Sequence, residues 1–485
     1  VTEPYDIAIV GGGITGLGLA RLAARNGYRC VVLDRGDLGS GSSSSSSHML
    51  HGGLRYLEQG RFGLVRESLA ERLAVHRMAP TLTQPQRFMV PLFRGDRVGP
   101  WRLRAGLTLY DWLAGSSRLS LGSVVRRKEA LALEPGLASK RLRGAGLYTD
   151  VVMDDGRLAI AVARDAAAHG ADVKPYVQVH GGRPAGPGVT DIVTTDVLDG
   201  GERVFPARVL VNATGPWSDH VRMLFARTLA PGTPDPTPLL RPSRGVHLVY
   251  PKLTSDHGLV LVAKRDGRVF FVVPFADRSL VGTTEVELPS PPAPEAWRAS
   301  LDEARYLRAE LARVLPESAK VEPIAVMSGL RPLLRSDQAA GQASREHAVI
   351  EEDRVITVTG GKYTTFRVMA RDALERVARR LGRAGRPISD CSQPLPAPIA
   401  ASSELDRVAE FAVRHEFARR VVDVVRRRTT LWLEPDRGRV AAARIAAVMG
   451  GLLDWSAERQ RDEFQSYDQA LWEEESLIQR SSAEP

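Results

Sequence analysis

The chain has 485 residues, 43% hydrophobic and 25% charged, ordinary globular material long enough for two or three domains. Sixty-six basic residues against 57 acidic give a net charge of +9 spread along the chain, which suits an acidic substrate or an anionic membrane surface and argues against nucleic acid. Two cysteines, Cys30 and Cys391, exclude a disulfide framework and lack metal-ligand spacing. With no run of 18 apolar residues and no signal-peptide pattern, the expectation is a protein of a reducing compartment, without a metal, neither membrane-spanning nor exported.

Tyr5 to Val10 reads as a buried parallel strand, and Gly11, Gly13 and Gly16 follow it in G-x-G-x-x-G register ahead of an amphipathic helix starting near Ile14. Gly11 allows the tight turn, Gly13 lets the backbone approach a pyrophosphate, and Gly16 lets helix and strand pack closely. The helix N-terminus then offers amides to the anion. Cys30 to Leu33 is a second strand, and Asp34 at its end is placed to accept ribose hydroxyls. Strand, helix, strand and terminal acid together predict a dinucleotide site.

The run Ser42 to Ser47 has the composition of a linker, yet His48, His51, Gly52, Gly53, Arg55 and Tyr56 follow it closely. Leu92 to Gly115 interleaves Arg94, Arg97, Arg102 and Arg104 with Phe93, Trp101, Tyr110 and Trp112. That pattern fits either an interfacial segment or an amphipathic helix packed on its own domain. Asp154 and Asp155 precede a helical stretch over Arg157 to Ala168 that Gly170 closes. Val189 to Leu198, Asp199-Gly200-Gly201 and Arg203 to Val211 form a hairpin. The Ala207 strand runs into Ala213-Thr214-Gly215, and Pro231 to Pro242 is a surface connection.

Val246 to Tyr250, Leu259 to Lys264, Val269 to Pro274 and Ser279 to Glu285 predict an antiparallel wall. Val355 to Leu374 is a strand, a glycine pair and a helix. This segment and Ala207 to Asp219 resemble later segments of flavoproteins of the glutathione-reductase and amino-acid-oxidase type, which favours FAD over NAD. Beyond a linker at 388–401 the periodicity is helical, with Ser403 and Asp406 as a capping box and Val408, Phe411, Ala412, Val421 and Val425 recurring, so a separate helical cap is expected.

The segments GGGITGLG, SSSSSSHMLHGGLRYLE, VNATGPWSD, VPFADRSLVGTTEVE, SGLRPLLR, TGGKYTTFR and HEFARRVVDVVRRRT, in that order, resemble the FAD-dependent glycerol-3-phosphate dehydrogenases over nearly the whole chain. The resemblance implies an α/β fold: a Rossmann-like FAD-binding domain, an antiparallel-sheet substrate domain and a C-terminal helical cap. The expected boundaries are 1–80, 141–220 and 325–387 for the first, 81–140 and 221–324 for the second, with a membrane-facing segment at 92–115, and 402–485 for the cap.

By the same resemblance the serine run is an ordered loop over the flavin, and it delivers His51-Gly52-Gly53 to the flavin face. Ile14, Thr15, Ser42, Ser43, Ser46, Ser47, Gly361, Lys362 and Thr364 join the glycines, Asp34 and Ala213 to Gly215 as cofactor-binding candidates. Oxidation of a secondary alcohol needs a base for the hydroxyl proton and cations around the substrate phosphate. His51 is the candidate base, since histidine titrates near working pH. Arg331 and Lys362 are the active-site cations, and seven lysines among 66 basic residues make Lys362 conspicuous. Arg55, Tyr56, Arg345 and, more weakly, His247 complete the substrate shell. Thr15 stands where this family usually has asparagine, a tolerable change near the pyrophosphate, and His48 and Arg244 where lysine is usual; His48 leaves open another anionic 2-hydroxy substrate.

The resemblance further implies glycerol 3-phosphate as substrate, a membrane quinone as acceptor, and a cytoplasmic protein peripheral on the inner face of the membrane against anionic lipid. A homo-oligomer is left open. The alternatives are an oxidase using oxygen, though the sizeable insertion of the family's oxidases is not found, and a non-catalytic flavoprotein. Retention of His51, Arg331 and Lys362 argues against the latter.

Overall fold

The computed structural model describes residues 3–335, 346–400 and 404–482. Tyr5–Val10 is apolar on both faces because it lies inside a parallel sheet, in register with Cys30–Leu33 on one side (Ile9 opposite Val32) and Glu202–Asn212 on the other (Ile9 opposite Val211). Val355–Gly360 and Asp172–Lys174 extend the parallel set, and His347–Glu352 and the Val177–Gly186/Val189–Asp196 hairpin add antiparallel strands. Helices Ile14–Arg25, Asp155–Ala168 and Phe366–Arg380 cover one face. The middle helix starts where expected because the Asp154 carboxylate accepts from Arg157 N at 2.9 Å, a cap that contributes about 1 kcal/mol.

The second sheet holds ten strands among the described residues and runs from Val286–Glu287 through Ser243–Pro251, Arg278–Gly282, Val269–Phe275, Gly258–Val262, Thr83–Phe93 and Leu142–Met153 to Met49–Leu50. Ala325–Arg331 pairs with Ser243–Pro251, and Ser123–Arg126 with Leu142–Met153. The expected wall is present and larger than its four strands. Leu142–Met153 and Ala325–Arg331, which fall within the expected bounds of the FAD-binding domain, run in this second sheet. Each is bound there by a long antiparallel ladder to a distant segment that no local pattern announces.

The cap comprises Leu405–His415, Arg439–Leu453 and Ala457–Ser482 with short turns between them. Ser403 of the expected capping box lies outside the described residues, and Glu404 is the N-cap. The cap is not separate. Ala412, Val421, Val425 and Trp432 share one core with Val249, Val273 and Met327 on the inner face of the second sheet. On its other side a buried ionic seam joins it to the nucleotide domain: Arg427 and Arg428 donate to Asp37, Arg428 Nη2 at 2.8 Å, and Arg157 holds Glu416 through two bonds of 2.7 and 2.8 Å. Burial pushes the Asp37 carboxyl up, but the two guanidiniums outweigh it and hold it below the usual range.

Candidate active site

A cavity of about 1910 Å³ runs between the two sheets and under the cap. Its nucleotide end is the turn after Tyr5–Val10. Gly11, Gly13, Ile14 and Thr15 line it at the N-terminus of the Ile14–Arg25 helix. A side chain on Gly13 would start 3.3 Å from Ser43 Oγ, in the space open to a pyrophosphate. Gly16 lies underneath, where a Cβ would be 1.9 Å from Gly11 O, so it serves the strand-to-helix packing. Asp34 accepts from Gly12 N at 2.6 Å and Gly36 N at 2.8 Å. Burial nonetheless pushes its carboxyl up to about 6, with those amides opposing. Ala213, Thr214 and Gly215 complete this end. Arg35 stacks on Trp217 at 5.4 Å beside it, a pair that the sequence reading missed. The groove, the amides and the acid fit a dinucleotide.

The serines are ordered by bonds to four parts of the chain. Ser43 Oγ accepts from Ile14 N at 2.9 Å, Ser42 donates to Leu330 O, Ser46 donates to Asp155 at 2.7 Å, and Ser47 meets His247 Nε2 at 2.9 Å. This loop ties the nucleotide helix to the second sheet, and all four serines line the cavity. Composition alone gave no sign of it, because a hydroxyl is as well satisfied by water as by these partners.

Beyond the serines the cavity gathers the side chains expected to react. His51, Gly53 and Tyr56 come from the segment after Met49–Leu50, His247 and Arg331 from the second sheet, and Gly361, Lys362 and Thr364 from the turn that starts the Phe366–Arg380 helix. Lys362 Nζ lies 4.9 Å from the Tyr56 ring centroid, a cation–π contact. Arg331 Nη2 donates to Thr283 Oγ1 at 2.6 Å and Thr284 O at 3.2 Å. Gly245 faces it, and a Cβ there would lie 2.2 Å from Arg331 Nη2, so this glycine makes the guanidinium's room. Gly245, Thr283 and Thr284 were missed from sequence. The signals were the glycine near the start of a strand and the VGTTEVE segment that carries Thr283 and Thr284. Burial, then Arg331 and His48, push His247 down to about 3, so it meets Ser47 as a neutral ring.

Arg345 lies outside the described residues, as does the side chain of Arg55. Two of the departures turn away from the site. His48 is buried, its Nδ1 3.1 Å from Met153 O and its ring 4.2 Å from Phe275, and Arg244 pairs with Glu303 at 2.8 Å on the outer face of the second sheet. Thr15 lines the nucleotide end.

Leu92 to Gly115 is the end of one strand, a loop and the helix Pro100–Ala114. The helix buries Leu103, Leu107, Tyr110 and Ala114. It exposes Trp101 at 84% and Trp112 at 74%, with Arg102 and Arg104. Tyr110, expected among interfacial aromatics, is 2% exposed because its hydroxyl bonds inward, and Phe93 packs half-buried on the outer core. Among the described residues no helix is long and apolar enough to cross a membrane.

Residues 6–376 match the family described as FAD dependent oxidoreductase, and 364–460 match the C-terminal domain of alpha-glycerophosphate oxidase. A glycerol-3-phosphate dehydrogenase of Mycobacterium leprae is 34% identical, over 94% of this chain and 86% of that protein. The mitochondrial glycerol-3-phosphate dehydrogenase of Rattus norvegicus is 33% identical over 78% and 53%. Among solved structures, the glycerol-3-phosphate dehydrogenase of Bacillus halodurans complexed with FAD superposes with a TM-score of 0.75 at 21% identity, covering 97% of this chain and 95% of that one. The L-alpha-glycerophosphate oxidase of Mycoplasma pneumoniae with FAD bound does so at 0.60 and 18%, covering 82% and 100%. These two likenesses speak to the fold alone.

Proposed function

The chain belongs to the family of FAD-dependent glycerol-3-phosphate dehydrogenases, and from that premise we propose that it oxidises sn-glycerol 3-phosphate to dihydroxyacetone phosphate and passes the electrons to a membrane quinone. The observation that carries this reading is the convergence of His51, Arg331 and Lys362, from three distant segments, at one end of a cavity whose other end is a dinucleotide cradle. The Gly11 to Gly16 turn, Asp34, the serine run and the Lys362 to Thr364 turn would hold FAD, which when bound would supply two-electron oxidising chemistry.

The chain's own residues do the rest. An imidazole nitrogen of His51 accepts the proton of the secondary hydroxyl, which leaves the oxygen to become a ketone. Arg331 and Lys362 hold the phosphate dianion and stabilise charge on that oxygen. The rigid Thr283 and Thr284 contacts fix the Arg331 guanidinium before substrate arrives, so no reorganisation is needed at the moment of reaction. His247, neutral at any working pH, contributes a hydrogen bond rather than a charge.

The membrane reading is supported by the Pro100–Ala114 helix. Trp101 and Trp112 lie about three turns apart on one outer stripe, with Arg102 and Arg104 beside them. Arg94, Arg126, Arg141 and Arg143 are exposed on neighbouring strands and loops, each drawn to anionic lipid by about 1 kcal/mol. Val98, Ala105, Gly106 and Leu109 carry the cavity wall toward this face and give an apolar acceptor a way in.

The test is anaerobic mixing with glycerol 3-phosphate. The flavin band should bleach, while glycerol, lacking the dianion, leaves it; equal rates for both would refute the phosphate site. A variant with Trp101→Ser, Arg102→Glu and Arg104→Glu should keep dye reduction and lose most quinone reduction in anionic vesicles. Loss of both together, or rapid reoxidation of the parent by air without quinone, would overturn the membrane acceptor.

A further inference from the structure

His51 is pinned through the peptide groups on both sides of it. Its own amide donates to Thr364 Oγ1 at 3.3 Å, on the turn that starts the Phe366–Arg380 helix. The next amide, Gly52 N, donates to the Tyr110 hydroxyl at 3.0 Å. That hydroxyl in turn donates to Asp150 Oδ1 at 2.9 Å, and Asp150 takes Arg72 Nη1 at 2.7 Å. Arg72 also reaches Thr149 O at 3.1 Å and Ser117 O at 2.8 Å. Arg72, Tyr110 and Asp150 are each no more than 2% exposed and come from two helices and a strand.

The chain therefore runs Arg72, Asp150, Tyr110, Gly52, and the Gly52 amide also reaches the Asp150 carboxylate, whose pKa burial raises while Arg72, Tyr110 and Gly52 oppose the rise. Arg72 has only donors, and the Asp150 carboxylate only accepts. Tyr110 must spend its one proton on Asp150 and is left with lone pairs for Gly52 N–H. Burial, then the Asp150 charge, pushes the Tyr110 phenol well above its ordinary value, so that proton stays in place. Gly52 admits the contact because a Cβ there would lie 2.5 Å from both the hydroxyl and Leu69 Cδ2. A buried ion pair is a poor source of stability, since apolar side chains of similar volume usually hold a core as well. What it does well is fix one oxygen in one place.

We propose that Tyr110 is a positioning residue for the reaction: its hydroxyl, oriented by the Arg72–Asp150 pair, fixes the His51–Gly52 peptide and so sets where the His51 imidazole meets the substrate hydroxyl. This rests on the assignment of His51 as base, but Tyr110 itself touches neither substrate nor cofactor. The Pro100–Ala114 helix thus has two jobs on opposite stripes, tryptophans outward and this hydroxyl inward.

The test is a double-mutant cycle on the FAD-loaded protein, with Tyr110→Phe, which removes one oxygen, and His51→Asn. In the parent background Tyr110→Phe should slow flavin reduction at saturating glycerol 3-phosphate about tenfold, while the concentration giving half-maximal rate and FAD affinity change less than about twofold. In the His51→Asn background it should slow the reaction no further, because the group it positions is gone. The same tenfold loss in both backgrounds, or no loss in the parent, overturns the proposal. Amide exchange gives an answer independent of turnover: Tyr110→Phe should expose Gly52 N–H to exchange at least tenfold faster while the Tyr5–Val10 amides stay protected. Unchanged protection of Gly52 also overturns the proposal. If His51→Asn alone leaves the rate of the parent, it is the assignment of the base that fails, and the exchange measurement still decides whether Tyr110 holds the peptide.

Discussion

At the nucleotide end of the cavity, Gly11 to Asp34 bring turn, helix terminus and acid from one contiguous stretch, and the backbone does most of the binding. At the proposed reaction end, His51, Arg331 and Lys362 meet only because two sheets and a helix pack together, and the proposed chemistry falls to side chains. A local motif carries its geometry with it, whereas a convergent site takes its geometry from the packing around it. The two ends should therefore fail separately. Backbone crowding at the first removes the cofactor, and side-chain loss at the second removes turnover from a protein that still holds it.

The largest effect expected is from Gly13→Val. The branched side chain would occupy the pyrophosphate path and crowd Ser43, whose hydroxyl caps Ile14 N, so FAD affinity should fall by roughly 1000-fold or more, with far-ultraviolet circular dichroism intact. Flavin that co-elutes with the variant on gel filtration would break the comparison at once. Next comes Arg331→Ala, which removes a charge from the developing oxyanion and should cost on the order of 3 kcal/mol, roughly 150-fold in kcat/KM. FAD affinity should stay within about twofold, and a matching loss of FAD would merge the two ends.

A smaller effect sharpens the comparison through pH. The Asp34 carboxyl is raised to about 6, by burial first and by nearby Asp37 in smaller part, against the two amides and Arg35. Since the fold holds that proton more tightly than the unfolded chain, the cofactor-free protein loses stability as pH rises from about 4 to 6. Ribose hydroxyls need the ionised acceptor, so FAD affinity runs the other way, about tenfold weaker at pH 5 than at pH 7 and level above that. A fluorescence titration across that range checks it, and Asp34→Asn should flatten the curve. A flat curve for the parent would mean that the acid does not meet the ribose.

The same contrast explains what the sequence disclosed. Gly11, Gly13, Gly16 and Asp34 were legible because their spacing is their geometry. The serine run was legible only through resemblance, since six hydroxyls specify no partner until Leu330, Asp155 and His247 arrive from elsewhere. Tyr110 was misplaced because the Pro100–Ala114 helix has large apolar residues on both stripes, and periodicity does not say which stripe is buried. Arg72 and Asp150 look like any surface charges until a helix and a strand bring them together. The place of Leu142–Met153 in the second sheet was illegible for a related reason, its partner Thr83–Phe93 lying across two helices and a strand.

The separation of the two ends is tested most directly by His51→Asn, with FAD affinity and flavin reduction by glycerol 3-phosphate measured on one anaerobic preparation. The imidazole lies outside the nucleotide cradle, so the account predicts FAD affinity within about twofold of the parent and flavin reduction slowed roughly 100-fold or more. Reduction at the parent's rate, or loss of FAD and turnover together, would contradict it.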